Sequence, residues 1–123
     1  MEFNEGVIMS IKWFQCQKCN TLIKQDSTPN SLHCSAGSTH SWHNLGELGS
    51  FNYQCKKCGT TVQCKNLPSS LYCPAGSTHS WNKLGELGSS NYQCKKCGTT
   101  VQCKNLPSSL YCPTGATHSW HKL

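Results

Sequence analysis

The strongest constraint on this chain is a spacing that occurs three times. Cys16, Cys19, Cys34 and His40 follow the pattern C-x2-C-x14-C-x5-H. The pattern recurs as Cys55, Cys58, Cys73 and His79, and again as Cys94, Cys97, Cys112 and His118. The period is 39 residues. Residues 52–84 and 91–123 align without gaps and differ at 3 of 33 positions: Ala75/Thr114, Ser77/Ala116 and Asn82/His121. Residues 13–45 align in the same register, with 17 of 33 positions identical to 52–84. The chain is therefore a tandem array of three units, two of them recently duplicated. A unit of this size lies below the roughly 40 residues at which an apolar core alone sustains a fold, so each unit needs a staple.

Composition says what the staple is made of. Of 123 residues, 11 are Cys, and they supply much of the 36% apolar content. Without them the apolar share is about 27%, far below the roughly 45–50% of an average domain on a broader count. An odd number of Cys cannot pair completely within one chain. Only 13% of residues are charged, and 4 Trp, 4 Tyr and 3 Phe are too many aromatics for a solvated tail. No run approaches 18 apolar residues, and the first residues show neither a basic region nor an apolar one. A membrane role and an export signal are accordingly not expected. The expected compartment is cytoplasmic, where clustered Cys serve metals more often than disulfides. A chain already stripped of a signal would read the same way, which leaves an extracellular location open. Met9 offers an alternative start.

Three thiolates and one imidazole make the four-ligand set that tetrahedral Zn²⁺ takes in structural sites. The expectation is three zinc ions per chain. In a C-x2-C knuckle the chain turns sharply, and the residue after the second Cys tends to need a positive φ. Gly59 and Gly98 occupy that position in units 2 and 3, and Asn20 in unit 1; these are the residue types that best tolerate it. Between Cys73 and His79, and at the matching places, lie further turn residues. These knuckles (Cys-Lys-Lys-Cys-Gly and Cys-Pro-Ala-Gly) and the ligand order resemble the zinc-ribbon and rubredoxin-like knuckle group. The resemblance implies a small, metal-stabilised, β-rich fold with short antiparallel strands and little or no helix, although C-x5-H is longer than the group's usual second pair. The units are bounded as 13–45, 52–84 and 91–123, after an N-terminal extension 1–12. Strands are expected at 52–55, 60–65 and 80–84, a turn at 66–69, a return to the metal at 71–73, and linkers at 46–50 and 85–89.

Nine Cys serve as ligands, which leaves Cys64 and Cys103, with Gln25 at the matching place in unit 1. An extended strand would put them roughly 20 Å from the knuckle, too far to share its ion. They read as small buried apolar residues beside Val62, as partners in a disulfide between units or chains, or as a reactive or second-metal thiol. His33, His43 and His121 read as surface residues. Trp42, Trp81 and Trp120, with Phe14, Tyr53 and Tyr92, read as cover for the zinc loops more readily than as stacking platforms.

The formal charge is +6. Three Cys₃His sites, each net −1 with zinc, would bring it to about +3. The basic residues are 11 Lys and no Arg, which disfavours sequence-specific nucleic-acid reading. Lys56, Lys57, Lys95 and Lys96 lie on the knuckles as a candidate phosphate-binding surface or a solvated turn. Units 2 and 3 contain no carboxylate, and a four-ligand zinc has no open position, so no enzyme and no small-molecule substrate are expected. The function expected is a scaffold for a protein partner or self-assembly, with a nucleic-acid binder and an extracellular disulfide-linked structural protein as alternatives.

Overall fold

The computed structural model describes residues 11–76 and 78–123. Among them there are eight strands and no helix. The strands are β1 (Lys12–Cys16), β2 (Leu22–Gln25), β3 (Trp42–Cys55), β4 (Thr61–Cys64), β5 (Trp81–Glu86), β6 (Ser90–Cys94), β7 (Thr100–Cys103) and β8 (Trp120–Lys122).

Each unit is built the same way. A hairpin turns through the first knuckle, and β-formers face one another across it: Phe14 opposite Ile23, Tyr53 opposite Val62, Tyr92 opposite Val101. Aromatic and β-branched cross-strand pairs are the favourable combination for such a ladder. A third strand then returns antiparallel on the other side, and places Trp42 against Cys16, Trp81 against Cys55 and Trp120 against Cys94.

The first connector differs from the sequence expectation, while in the second residues 87–89 lie outside the strands. Residues 46–50 are not a linker: they run inside the 14-residue β3, which pairs with β1 at its start and with β4 and β5 at its end. Units 1 and 2 consequently share a five-stranded sheet, β2-β1-β3-β4 with β5 also on β3, beside a three-stranded sheet β7-β6-β8. Residues 71–73 return to the metal ligands outside the strands. Only a single bridge joins Leu71 to Thr78, as Leu32 joins Thr39 and Leu110 joins Thr117.

A β-bulge explains how one unit reaches the next. The register slips opposite Leu45, between the pairs Phe14–Asn44 and Trp13–Gly46, and again opposite Leu84. Gly46 and Gly85 follow at φ of 140° and 150°, a region that L side chains rarely enter. Bulges bend and re-aim a strand. Here the bend puts Leu45 into a cluster with Trp13, Tyr53, Val62 and Cys64, and Leu84 into one with Tyr92, Val101 and Cys103. Each apolar cluster therefore draws its residues from two neighbouring units.

The same polar contacts recur at both seams. Trp13 Nε1 donates to the Gln63 carbonyl and Asn52 Nδ2 to the Gln102 carbonyl, each at 2.8 Å. Gln15 Nε2 donates to Thr60 Oγ1 and Gln54 Nε2 to Thr99 Oγ1, each at 2.7 Å. The backbone N–H of Lys65 donates to Glu47 O and that of Lys104 to Glu86 O, and both pairs also close as surface ion pairs. One stacking operation thus carries unit 1 onto unit 2 and unit 2 onto unit 3.

Candidate metal centres

Cys16, Cys19, Cys34 and His40 offer four ligand atoms that all lie within 4.8 Å of one another, and so do the two matching sets of units 2 and 3. Local backbone chemistry brings them there. In the first knuckle the N–H groups of Asn20, Gly59 and Gly98 donate to the carbonyls of Cys16, Cys55 and Cys94, each at 2.9 Å. The turn requires the left-handed region, and these residues sit at φ of 68°, 77° and 78°. In the second loop Gly37, Gly76 and Gly115 donate to the carbonyls of Cys34, Cys73 and Cys112. Lysine ties the two loops together: Lys57 Nζ reaches Thr78 Oγ1 at 3.2 Å, Lys96 Nζ reaches Thr117 Oγ1 at 3.3 Å, and Lys18 Nζ reaches the Thr39 carbonyl at 3.2 Å. Lys57 and Lys96 thus have a structural task, whereas among the described residues no hydrogen bond engages the exposed ammonium groups of Lys56 and Lys95.

The spacings match a tetrahedral ion. Bonds of about 2.3 Å to sulfur and 2.0 Å to nitrogen at tetrahedral angles put ligand atoms about 3.8 Å (S···S) and 3.5 Å (S···N) apart. Observed values are 3.8 Å for Cys16–Cys34 and 4.0 Å for Cys55–Cys73. Nδ1 of His40, His79 and His118 stands 3.5, 3.6 and 3.6 Å from Sγ of Cys19, Cys58 and Cys97. A disulfide would need about 2.05 Å, and all eleven Cys are free thiols. The histidines turn Nδ1 toward the sulfurs, while Nε2 of His79 and His118 is buried without a partner. Trp42, Trp81 and Trp120 stack on these imidazoles with centroids 4.5, 4.6 and 4.5 Å apart. Their indole N–H groups donate to the carbonyls of Asn30, Ser69 and Ser108. The tryptophans cover the centres, as the sequence suggested, and Phe14, Tyr53 and Tyr92 are buried at 4%, 6% and 8% exposure.

The first thiol of each set is held ready to ionise, whereas burial raises Cys34, Cys73 and Cys97. Burial pushes Cys16 up, but N–H groups of Cys19, Ser41 and Lys18 outweigh it and bring it down to about 7. Burial likewise raises Cys94, yet the Cys97 and Ser119 amides and the His118 ring bring it to about 6. In the middle centre a hydrogen bond with Cys58 holds Cys55 low, and the same bond pushes Cys58 up. A divalent cation held by these residues would take the place of the protons such a set otherwise shares.

Three parts of the centres were not singled out from sequence. The N–H groups of Ser41, Ser80 and Ser119 donate to Sγ of Cys16, Cys55 and Cys94, each at 3.3 Å. Hydroxyls of Thr21, Thr60 and Thr99 lie 3.1 Å from the second sulfurs. Both sets are identical in all three units, so the comparison of repeats contained their signal. The third part had no signal: His33, Tyr72 and Tyr111, just before the third ligand, take φ of 65°, 62° and 63°, where bulky residues are rare.

Cys64 and Cys103 belong to no ligand group; each is 1% exposed at a seam between units. A Cβ on Gly46 would stand 3.8 Å from Cys64 Sγ, and one on Gly85 3.7 Å from Cys103 Sγ. Burial pushes the Cys64 thiol up to about 11, and burial raises Cys103 against a bond from Asn52 Nδ2. Of the three sequence readings, the small buried apolar residue fits. His43 is not the free surface residue expected, since it stacks on Tyr72 across the seam at 4.0 Å.

Fold and site define a β-rich array of three Cys₃His groups that fits tandem zinc-binding modules. No protein-family model, curated protein or solved structure matches the chain.

Proposed function

We propose that the protein is a non-enzymatic scaffold, folded by three structural zinc ions, that binds a protein partner or a further copy of itself through a repeated surface. Zinc is the metal favoured by three thiolates and one imidazole in tetrahedral array. Four protein ligands in each set leave no position for a substrate or a reactive water. The observation that carries the binding role is a row of exposed apolar residues. Leu32, Leu71 and Leu110 stand 54%, 53% and 54% exposed, and Leu67 and Leu106 66% and 65%. Tyr72 and Tyr111 stand beside them at 48% and 50%. Single exposed leucines are ordinary, but the same group presented at a fixed interval is a multivalent surface.

The exposed Lys56 and Lys95 favour a second reading, a nucleic-acid binder, in which Lys56 and the Tyr111 ring 5.8 Å from it would meet a phosphate and a base. Titration of the zinc-loaded chain with labelled single-stranded and duplex oligonucleotides across a salt series separates the two. The scaffold reading expects no appreciable binding at any salt. Affinity that drops steeply with salt would replace it with the nucleic-acid reading.

A further inference from the structure

The stacking operation that joins unit 1 to unit 2 and unit 2 to unit 3 has matching residues on units 3 and 1 that are exposed among the described residues. On unit 3 these are the residues of the docking side. Leu45 and Leu84, which plug into the next unit, are 2% and 3% exposed, whereas the matching Leu123 is 66% exposed. Gln15 and Gln54 are 1% exposed and donate across a seam. The matching Gln93 makes only an exposed 3.4 Å bond to the Gly98 carbonyl of its own unit. Asn52 is fully buried on the Gln102 carbonyl, while Asn91 is exposed and its side chain has no partner among the described residues. His121 restores the residue type of His43, which stacks on the following unit.

On unit 1 the receiving-side residues are more exposed than their counterparts. Thr21 matches Thr60 and Thr99, the hydroxyls that accept from Gln15 and Gln54; it is exposed where those two are half-buried. Ile23 matches Val62 and Val101; it is half-buried where they are 0% and 4% exposed. The acceptor that Trp13 and Asn52 use is a main-chain carbonyl, so Lys24 supplies the same group as Gln63 and Gln102.

We propose that unit 3 of one chain docks onto unit 1 of a second copy by this same operation, in a head-to-tail contact. Leu123 packs against Ile23, and Gln93 donates to Thr21 Oγ1. The contact is heterologous, so it leaves a free half-interface at each end and continues beyond a dimer. Two features hold it weaker than the seams within a chain: Gln25 replaces the small Cys at the receiving pocket, and no covalent strand spans the gap. This proposal rests on the scaffold reading and names its partner.

The test is sedimentation velocity of the full zinc-loaded chain over a concentration series, with two surface variants. Gln93→Arg blocks the docking side and Gln25→Arg the receiving side; zinc content and unfolding midpoint confirm that each is folded. The wild type is expected to grow with concentration past the dimer, and each variant alone to weaken association about tenfold or more. Mixing the two variants is expected to give a 1:1 dimer that grows no further, because one intact face of each kind remains. A wild type that stays monomeric at every concentration, or association that neither variant weakens, overturns the proposal. Either result leaves the scaffold reading standing, since the oligonucleotide titration decides that separately.

Discussion

At the scale of single residues, cysteine takes two roles that its environment separates. Nine Cys sit within ligand distance of a histidine nitrogen or another sulfur, and two sit in apolar seams at 1% exposure. Substitution should sort them. Cys73→Ser is expected to lose one zinc equivalent and unfold the middle unit, because metal binding and folding are one event in a module this small. Cys64→Ala should keep all three and lower stability by about 1 kcal/mol, the cost of a small apolar deletion. Metal analysis with thermal unfolding checks both. The same thiol gives an alkaline limit. Burial raises Cys64 from 9.0 to about 11, so the folded state favours the neutral form. Its contribution is complete below pH 9 and disappears as pH climbs through about 11. The alkaline loss of stability between these values should be shallower in Cys64→Ala than in the wild type.

At the scale of elements, the centres were legible and the first connector was not. The knuckles could be read because their requirements are local: ligand spacing, and a residue that tolerates positive φ, met by Asn20, Gly59 and Gly98. The tryptophans could be read because units so small have little else to bury. Residues 46–50, by contrast, read as a linker because Gly46, Gly49 and Ser50 weaken any strand pattern. The long-range partner decides there. Gly46 accommodates the bulge that turns Leu45 toward the next unit. Gly49 and Gly88 lie so close to the backbone of Lys65 and Lys104 that an added Cβ would overlap it. Their lack of a side chain is what permits the pairing, and one unit taken alone does not reveal it. Gly49→Ala should therefore lower the unfolding midpoint by several degrees in calorimetry while zinc content stays at three.

At the scale of the whole molecule, the array behaves as a stack in which each unit has its own Cys₃His ligand group and shares its apolar cluster with a neighbour. Stability in such a stack is a sum of unit and seam terms, and position in the array should set the cost of one substitution. Gln15→Ala and Gln54→Ala remove a buried donor across a seam and should each cost about 1–2 kcal/mol. Gln93→Ala removes a half-exposed side chain with no partner in a neighbouring unit and should leave the unfolding midpoint of the dilute chain unchanged. Equal costs at all three positions would mean that the seams contribute nothing.

The central claim, that metal replaces the core in each of three repeated centres, is tested most directly by native mass spectrometry of the folded chain. Three zinc ions per 123-residue chain with all eleven thiols reduced is the expected result. A folded chain that carries no metal and holds its cysteines as disulfides would contradict it.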